Sequence, residues 1–240
     1  LPTKGSQPQR KKNKKLKKLE RGRKMGQKIN PIGMRVGEFI PWKSRWFSDK
    51  SFKDYLVEDI RIRKALMEKL KLAGITSVEI ERLPKSMAVT MTVSRPGVVI
   101  GRGGSGIEDV KKYILEIIRD VRKVQIKDIK IDLRVNEIKN PELSAHLVAS
   151  RIASELERRM PHRRVVQKTI ERVMAAGAKG IKVVLGGRIG GAEISRVEKF
   201  QEGSVPTQTL RETIDYASVP ALLKRGYVGI KVWIHKKEEE

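Results

Sequence analysis

The chain has 240 residues and no cysteine, and its 53 Lys and Arg against 28 Asp and Glu give a formal charge of +25. Without Cys there are no disulfides, thiolate metal sites or cysteine nucleophiles; His146, His162 and His235 form neither an HExxH motif nor a triad, and no apolar run approaches the roughly 18 residues of a membrane span. So large a positive excess attracts polyanions, which makes nucleic acid the first partner to consider, and the length suits two modest domains.

Residues 1–24 hold eleven Lys or Arg and the single acid Glu20. With few apolar side chains to offset ordering entropy, this basic extension is expected to be disordered when free. It reads equally as a solvated leader or as a tail that settles on RNA phosphates, and Met25 is a candidate true start. Residues 25–50 form an arm, irregular from Gln27 to Ser48, with Pro31 and Pro41 as breakers. Trp42, Trp46 and Phe47 lie among Lys43 and Arg45; they are expected to anchor the arm rather than to stack on bases.

Ser51 and Asp54 resemble a capping box, and Leu56, Ile60, Met67 and Leu70 space a helix that stops at Gly74. Val78, Ile80 and Arg82 alternate with Glu79 and Glu81 in a strand, and a turn at Leu83-Pro84-Lys85 leads to a second. There Met87, Val89, Met91 and Val93 alternate with small or polar residues, as in a sheet with one buried face. Pro96 opens a short helix, and Val98 to Ile107 then reads VVIGRGGSGI. Three readings fit these glycines. Gly101, Gly103 and Gly106 match the dinucleotide fingerprint GxGxxG; Ile100, Gly101, Gly104 and Ile107 match the KH clamp IGxxGxxI, which grips a single-stranded backbone; a capped helix start is the third. Only Val98, Val99 and Ile100 precede the turn, too few for the buried strand that a Rossmann loop follows.

Ser105 and Glu108 read as a second capping box, before a helix lined by Ile107, Val110, Ile114, Ile117, Ile118 and Val121. Ile129, Ile131, Leu133 and Val135 alternate in a third strand. Helix, strand, strand, short helix, glycine loop, helix, strand is the order of the prokaryotic type of KH fold, so motif and element order agree. The loop then sits at a helix N-terminus, where backbone N–H groups of Gly101, Arg102, Gly103 and Gly104 and the Arg102 side chain face an anion.

In the second half, Asn140-Pro141 caps a helix whose Leu143, Leu147, Ile152, Leu156 and Met160 point inward until Pro161. The next helix, Arg163 to Ala176, puts Arg164, Lys168 and Arg172 on one face and Val166, Ile170 and Val173 on the other. From Gly177 strands take over, and Gly180–Val184 is echoed by Gly229–Trp233, which suits two strands of one sheet. Gly186 to Gly191 reads as tight turning at a strand end, because no Lys-Ser/Thr pair supports a P-loop.

From Met25 to about Lys236 the chain closely resembles the family of the universal third protein of the ribosomal small subunit, bacterial type. The residues that carry this are Met25-Gly26-Gln27-Lys28-Ile29-Asn30-Pro31-Ile32-Gly33, Ser44-Arg45-Trp46-Phe47, the KH loop, Gly177 to Val183 running into Gly187-Arg188-Ile189-Gly190-Gly191-Ala192-Glu193-Ile194, Ile214-Asp215-Tyr216 and Gly229 to Ile234. The resemblance implies an α+β protein: a type II KH domain at 51–136, a second α+β domain at 137–236 and an acidic tail at 237–240. It also implies a non-catalytic role in the head of the small subunit, in the cytoplasm. The implied partners are small-subunit rRNA, mRNA at the channel it enters by and neighbouring head proteins, with no cofactor, metal, membrane or small-molecule substrate. In that family a basic cluster at the start of the second domain's helix contacts mRNA and helps to open duplexes. Arg163 and Arg164 match two of its positions, whereas the third falls on Gln167, beside Lys168. The expected RNA-binding residues are thus Gly101, Arg102, Gly103, Gly104, Arg163, Arg164, Lys168 and Arg172. The competing reading is a KH-bearing RNA-processing enzyme or free regulator of mRNA.

Overall fold

A computed structural model describes residues 28–83, 86–122 and 130–237. The expected basic extension, the centre of the Pro84-Lys85 turn, Ile129 and the last three glutamates lie outside them. Two hydrophobic cores are present, each under its own four-stranded sheet.

In the first, β1 (Ser44–Arg45), β2 (Ile75–Arg82), β3 (Ser86–Val93) and β4 (Lys130–Glu137) lie in that order, with β2 antiparallel to β3 and the outer pairs parallel. The alternation in β3 is realised as read: Met87, Val89, Met91 and Val93 are all buried. Two long helices cover that face, α2 (Phe52–Lys69) and α4 (Ser105–Arg122), and between strand and helix stands the short α3 (Pro96–Ile100).

Several local expectations are corrected. The inward face of α2 is Glu58, Asp59, Ile62 and Leu66, while Leu56 and Ile60 are exposed. Glu58 and Asp59 are buried because Arg82 bridges them at 2.5 Å each and Arg122 closes on Glu58 from α4. The guanidinium groups of Arg82 and Arg122 lie against the Tyr55 ring. Neither capping box forms. Ser51 makes no side-chain cap, and Ser105 lies inside the helical turn, its hydroxyl donating to the Arg102 carbonyl at 3.0 Å. Met160 is exposed beyond the end of its helix, and that helix starts at Ala145, after a 3-10 turn at Pro141–Leu143.

The arm is more regular than its breakers suggest. It holds a short helix, α1 (Pro31–Arg35), and the strand β1. Buried Arg35 donates to the carbonyls of Pro31 (2.9 Å), Thr209 (2.6 Å) and Glu212 (2.9 Å). Farther on, Ser44 and the Trp46 indole donate to Asp59 at 2.7 and 2.8 Å. Of the three aromatics expected to anchor the arm, only Trp46 does; Trp42 and Phe47 are exposed.

The second sheet is fully antiparallel, in the order β6 (Arg196–Gly203), β5 (Gly180–Gly187), β8 (Gly226–His235), β7 (Ile214–Leu223). The echoed segments are indeed neighbours, with Val183 opposite Val232. The helices α5 (Ala145–Glu157) and α6 (His162–Ala175) pack Val148, Ile152, Leu156, Val166, Ile170 and Val173 onto Ile181, Val183, Ile230 and Val232.

Candidate nucleic-acid interface

The glycine loop is built by two helix ends meeting. At the end of α3, Gly101 turns with φ +69°, and a Cβ there would sit 2.9 Å from the Gly106 nitrogen. A Cβ on Gly106 would lie 2.4 Å from the Val99 carbonyl oxygen, so only glycine lets the two backbones close. Between them, Arg102, Gly103 and Gly104 form a 3-10 turn, with Gly103 at φ 63°, ψ 19°. Gly101, Arg102 and Gly103 are exposed and Gly104 is half-buried, so the loop projects beside the first core instead of filling it.

One expected donor is spent. The Gly101 N–H closes α3 on the Gly97 carbonyl at 3.0 Å, so it is not available to a phosphate. The Arg102 guanidinium, over backbone without side chains, is the loop's exposed cation.

Helix α6 divides as read, with additions. Val165, Val166, Thr169, Ile170 and Val173 are buried, and the Thr169 hydroxyl donates back to the Val165 carbonyl at 2.7 Å. Arg163, Arg164, Gln167, Lys168 and Arg172 are exposed together with the acid Glu171. Among the described residues, no carboxylate forms an ion pair with Arg163, Arg164, Lys168 or Arg172. The neighbouring His162 is instead held by Glu198 at 3.0 Å, which fixes the start of the helix against β6. The eight expected residues thus form two patches on two cores: the loop on the first, the helix face on the second.

Other features bear on chemistry. Among the described residues no group of three or more His, Cys, Asp or Glu could hold a metal, and no helix is long and apolar enough to cross a membrane. Beside the start of α6 a cavity of about 440 Å³ is lined by Leu156, Leu185, Met160, Arg159, Arg188 and Arg225, among others. Two of these arginines are braces: Arg188 donates to the Ala192 carbonyl at 2.9 Å and Arg225 to that of Gly191 at 2.5 Å.

Two family profiles match this architecture. A KH domain covers residues 61–143, and "Ribosomal protein S3, C-terminal domain" covers residues 152–234. The chain is 46% identical over 216 residues to the small ribosomal subunit protein uS3 of Persephonella marina, covering 90% of this chain and 92% of that one. It is 45% identical over 214 residues to the uS3 of Natranaerobius thermophilus, with 89% and 90% covered. The uS3 of Finegoldia magna is 46% identical over 215 residues, with 89% and 84% covered.

Proposed function

The chain belongs to the ribosomal protein S3 family, and from that premise we propose that it is a structural, non-catalytic protein of the small ribosomal subunit. It binds small-subunit rRNA in the subunit head beside other head proteins and lines the channel by which mRNA enters. The observation that carries the mRNA part is the outer face of α6, where Arg163, Arg164, Lys168 and Arg172 stand exposed and, among the described residues, no carboxylate is paired to them. Unpaired cations on a rigid helix supply screened attraction to phosphates and read no sequence, as a surface must when every message passes it.

The domain division supports separate tasks. The KH half offers the loop from Gly101 to Gly104 to a sugar-phosphate backbone, with Arg102 as its cation, and the second half offers α6. Any opening of mRNA duplexes is passive capture of strands that have melted, and Lys168 adjoins Gln167 where the family pattern has a third cation.

The test is the salt dependence of binding to an unstructured oligoribonucleotide. Arg163→Ala with Arg164→Ala is expected to reduce the slope of log affinity against log salt by about 1.4, at about 0.7 per single-strand phosphate contact. An unchanged slope would remove α6 from the interface. Co-sedimentation with the small subunit separates a resident protein from a free KH regulator.

A further inference from the structure

We propose that the open face of the second sheet, the side away from α5 and α6, docks the rRNA of the small subunit; this rests on the ribosomal reading above. Strand register defines the face. Val183, Ile230 and Val232 point into the core, so their neighbours point outward: Lys182 beside Trp233, and Lys199, Val184, Lys231 and Ser218 in the next row. Three lysines therefore share one side of the sheet. On the strands the acids fall elsewhere: Glu198, Glu202 and Asp215 alternate onto the helix side.

Two features make this face fit a polynucleotide. The Tyr216 and Trp233 rings lie 5.1 Å apart with the Lys182 ammonium 5.9 Å above the indole, a cation and aromatic platform of the kind that seats sugars and bases. In the row beyond the lysines, Gly186 faces Gly229, and a Cβ added to either would have no neighbour nearer than 3.8 Å. The floor there is backbone on which an added Cβ would make only ordinary van der Waals contact.

The first sheet serves as an internal control. Its open face pairs Arg45 with Glu81 at 3.0 Å and Arg134 with Asp132 at 3.1 Å, so its cations, Lys130 excepted, already stand beside an acid. On the second sheet, the row that holds Lys199 and Lys231 contains no acid among the described residues. Lysine is depleted at the centre of protein interfaces, which favours RNA over a protein partner. Ribosomal RNA is favoured over mRNA by sidedness. The helices occupy the opposite face, so a strand held by the outer cations of α6 is separated from this surface by the sheet itself.

Because the chain has no cysteine, Ser218→Cys gives a single attachment point at the centre of the face. In small subunits reconstituted with that full-length variant, an iron chelate tethered to the new thiol is expected to cleave the rRNA backbone. Lys199→Glu with Lys231→Glu should lower affinity for the isolated small-subunit rRNA at least tenfold at about 0.15 M salt and cut the salt slope by about 2. Binding to the unstructured oligoribonucleotide that reports on Arg163 and Arg164 should not change. The inference is overturned if the Ser218→Cys variant yields no rRNA cleavage or cross-links to a protein, if the lysine variant, folded by circular dichroism, keeps its rRNA affinity, or if it loses oligonucleotide binding instead. Failure of the chain to travel with the small subunit would retire the ribosomal reading itself.

Discussion

In the KH half, Glu58 and Asp59 are buried against Arg82 and Arg122, whereas the second core holds no buried carboxylate among the described residues and keeps Arg163, Arg164, Lys168 and Arg172 outside, unpaired. The first arrangement joins four segments: the arm at Ser44, α2, β2 and α4. A charge removed from water must find its partners, so the network specifies how those segments meet. The second arrangement leaves structure to apolar packing and charge to ligands. Charge turned inward serves architecture here; charge turned outward is, in the function proposed above, what meets RNA.

The strongest way to break this contrast is Glu58→Ala. It leaves the Arg122 guanidinium without a carboxylate and Arg82 with Asp59 alone, and urea unfolding is expected to show a loss of about 3–5 kcal/mol. A loss below about 1 kcal/mol would mean that the network is incidental. Arg35→Ala comes next, at about 2 kcal/mol, because three carbonyls lose a charged donor. Arg35→Lys should fail to restore it, since one ammonium cannot reproduce the planar fork. A full rescue by lysine would show that charge alone matters.

His146 sharpens the comparison through pH. Burial lowers its pKa from the ordinary imidazole value of 6.5, Lys43 acts in the same direction and Asp215 opposes both. The unfolded chain therefore takes up this proton first. The contribution of His146 is complete above about pH 6.5 and is lost as pH falls toward the folded value. Melting temperatures should fall less between about pH 7.5 and about pH 5.5 for His146→Gln than for the parent chain; equal falls would exclude His146 as the cause. Smallest for stability is Arg102→Asp, expected within about 0.5 kcal/mol because the side chain is exposed. Its effect should appear in single-strand RNA affinity, which ought to drop. Unchanged affinity would argue that the loop does not touch nucleic acid.

The element order, the inward rows of β3 and α4 and the two-faced α6 were all legible in the sequence, because period-2 and period-3.6 patterns act over many residues at once. What the pattern could not carry was decided by single long-range partners. Leu56 and Ile60 looked like the core face of α2, yet Arg82, 23 or 24 residues on, draws Glu58 and Asp59 inward instead. The second capping box failed because Ser105 was already inside a turn begun at Arg102. The loop glycines and α6 cations were legible as site candidates. The lysines of the second sheet were not, since Lys182, Lys199 and Lys231 come together only through the pairing of β6, β5 and β8.

The Arg35 clasp sets a timetable for biogenesis. Its acceptors at Thr209 and Glu212 follow it by 174 and 177 residues, so during synthesis the guanidinium leaves the exit tunnel long before its partners exist. At about 5–20 residues per second the wait is roughly 10 to 35 s. For that interval the nascent arm is held at most by its Asp59 end, and a segment translated 174 residues later is what latches it.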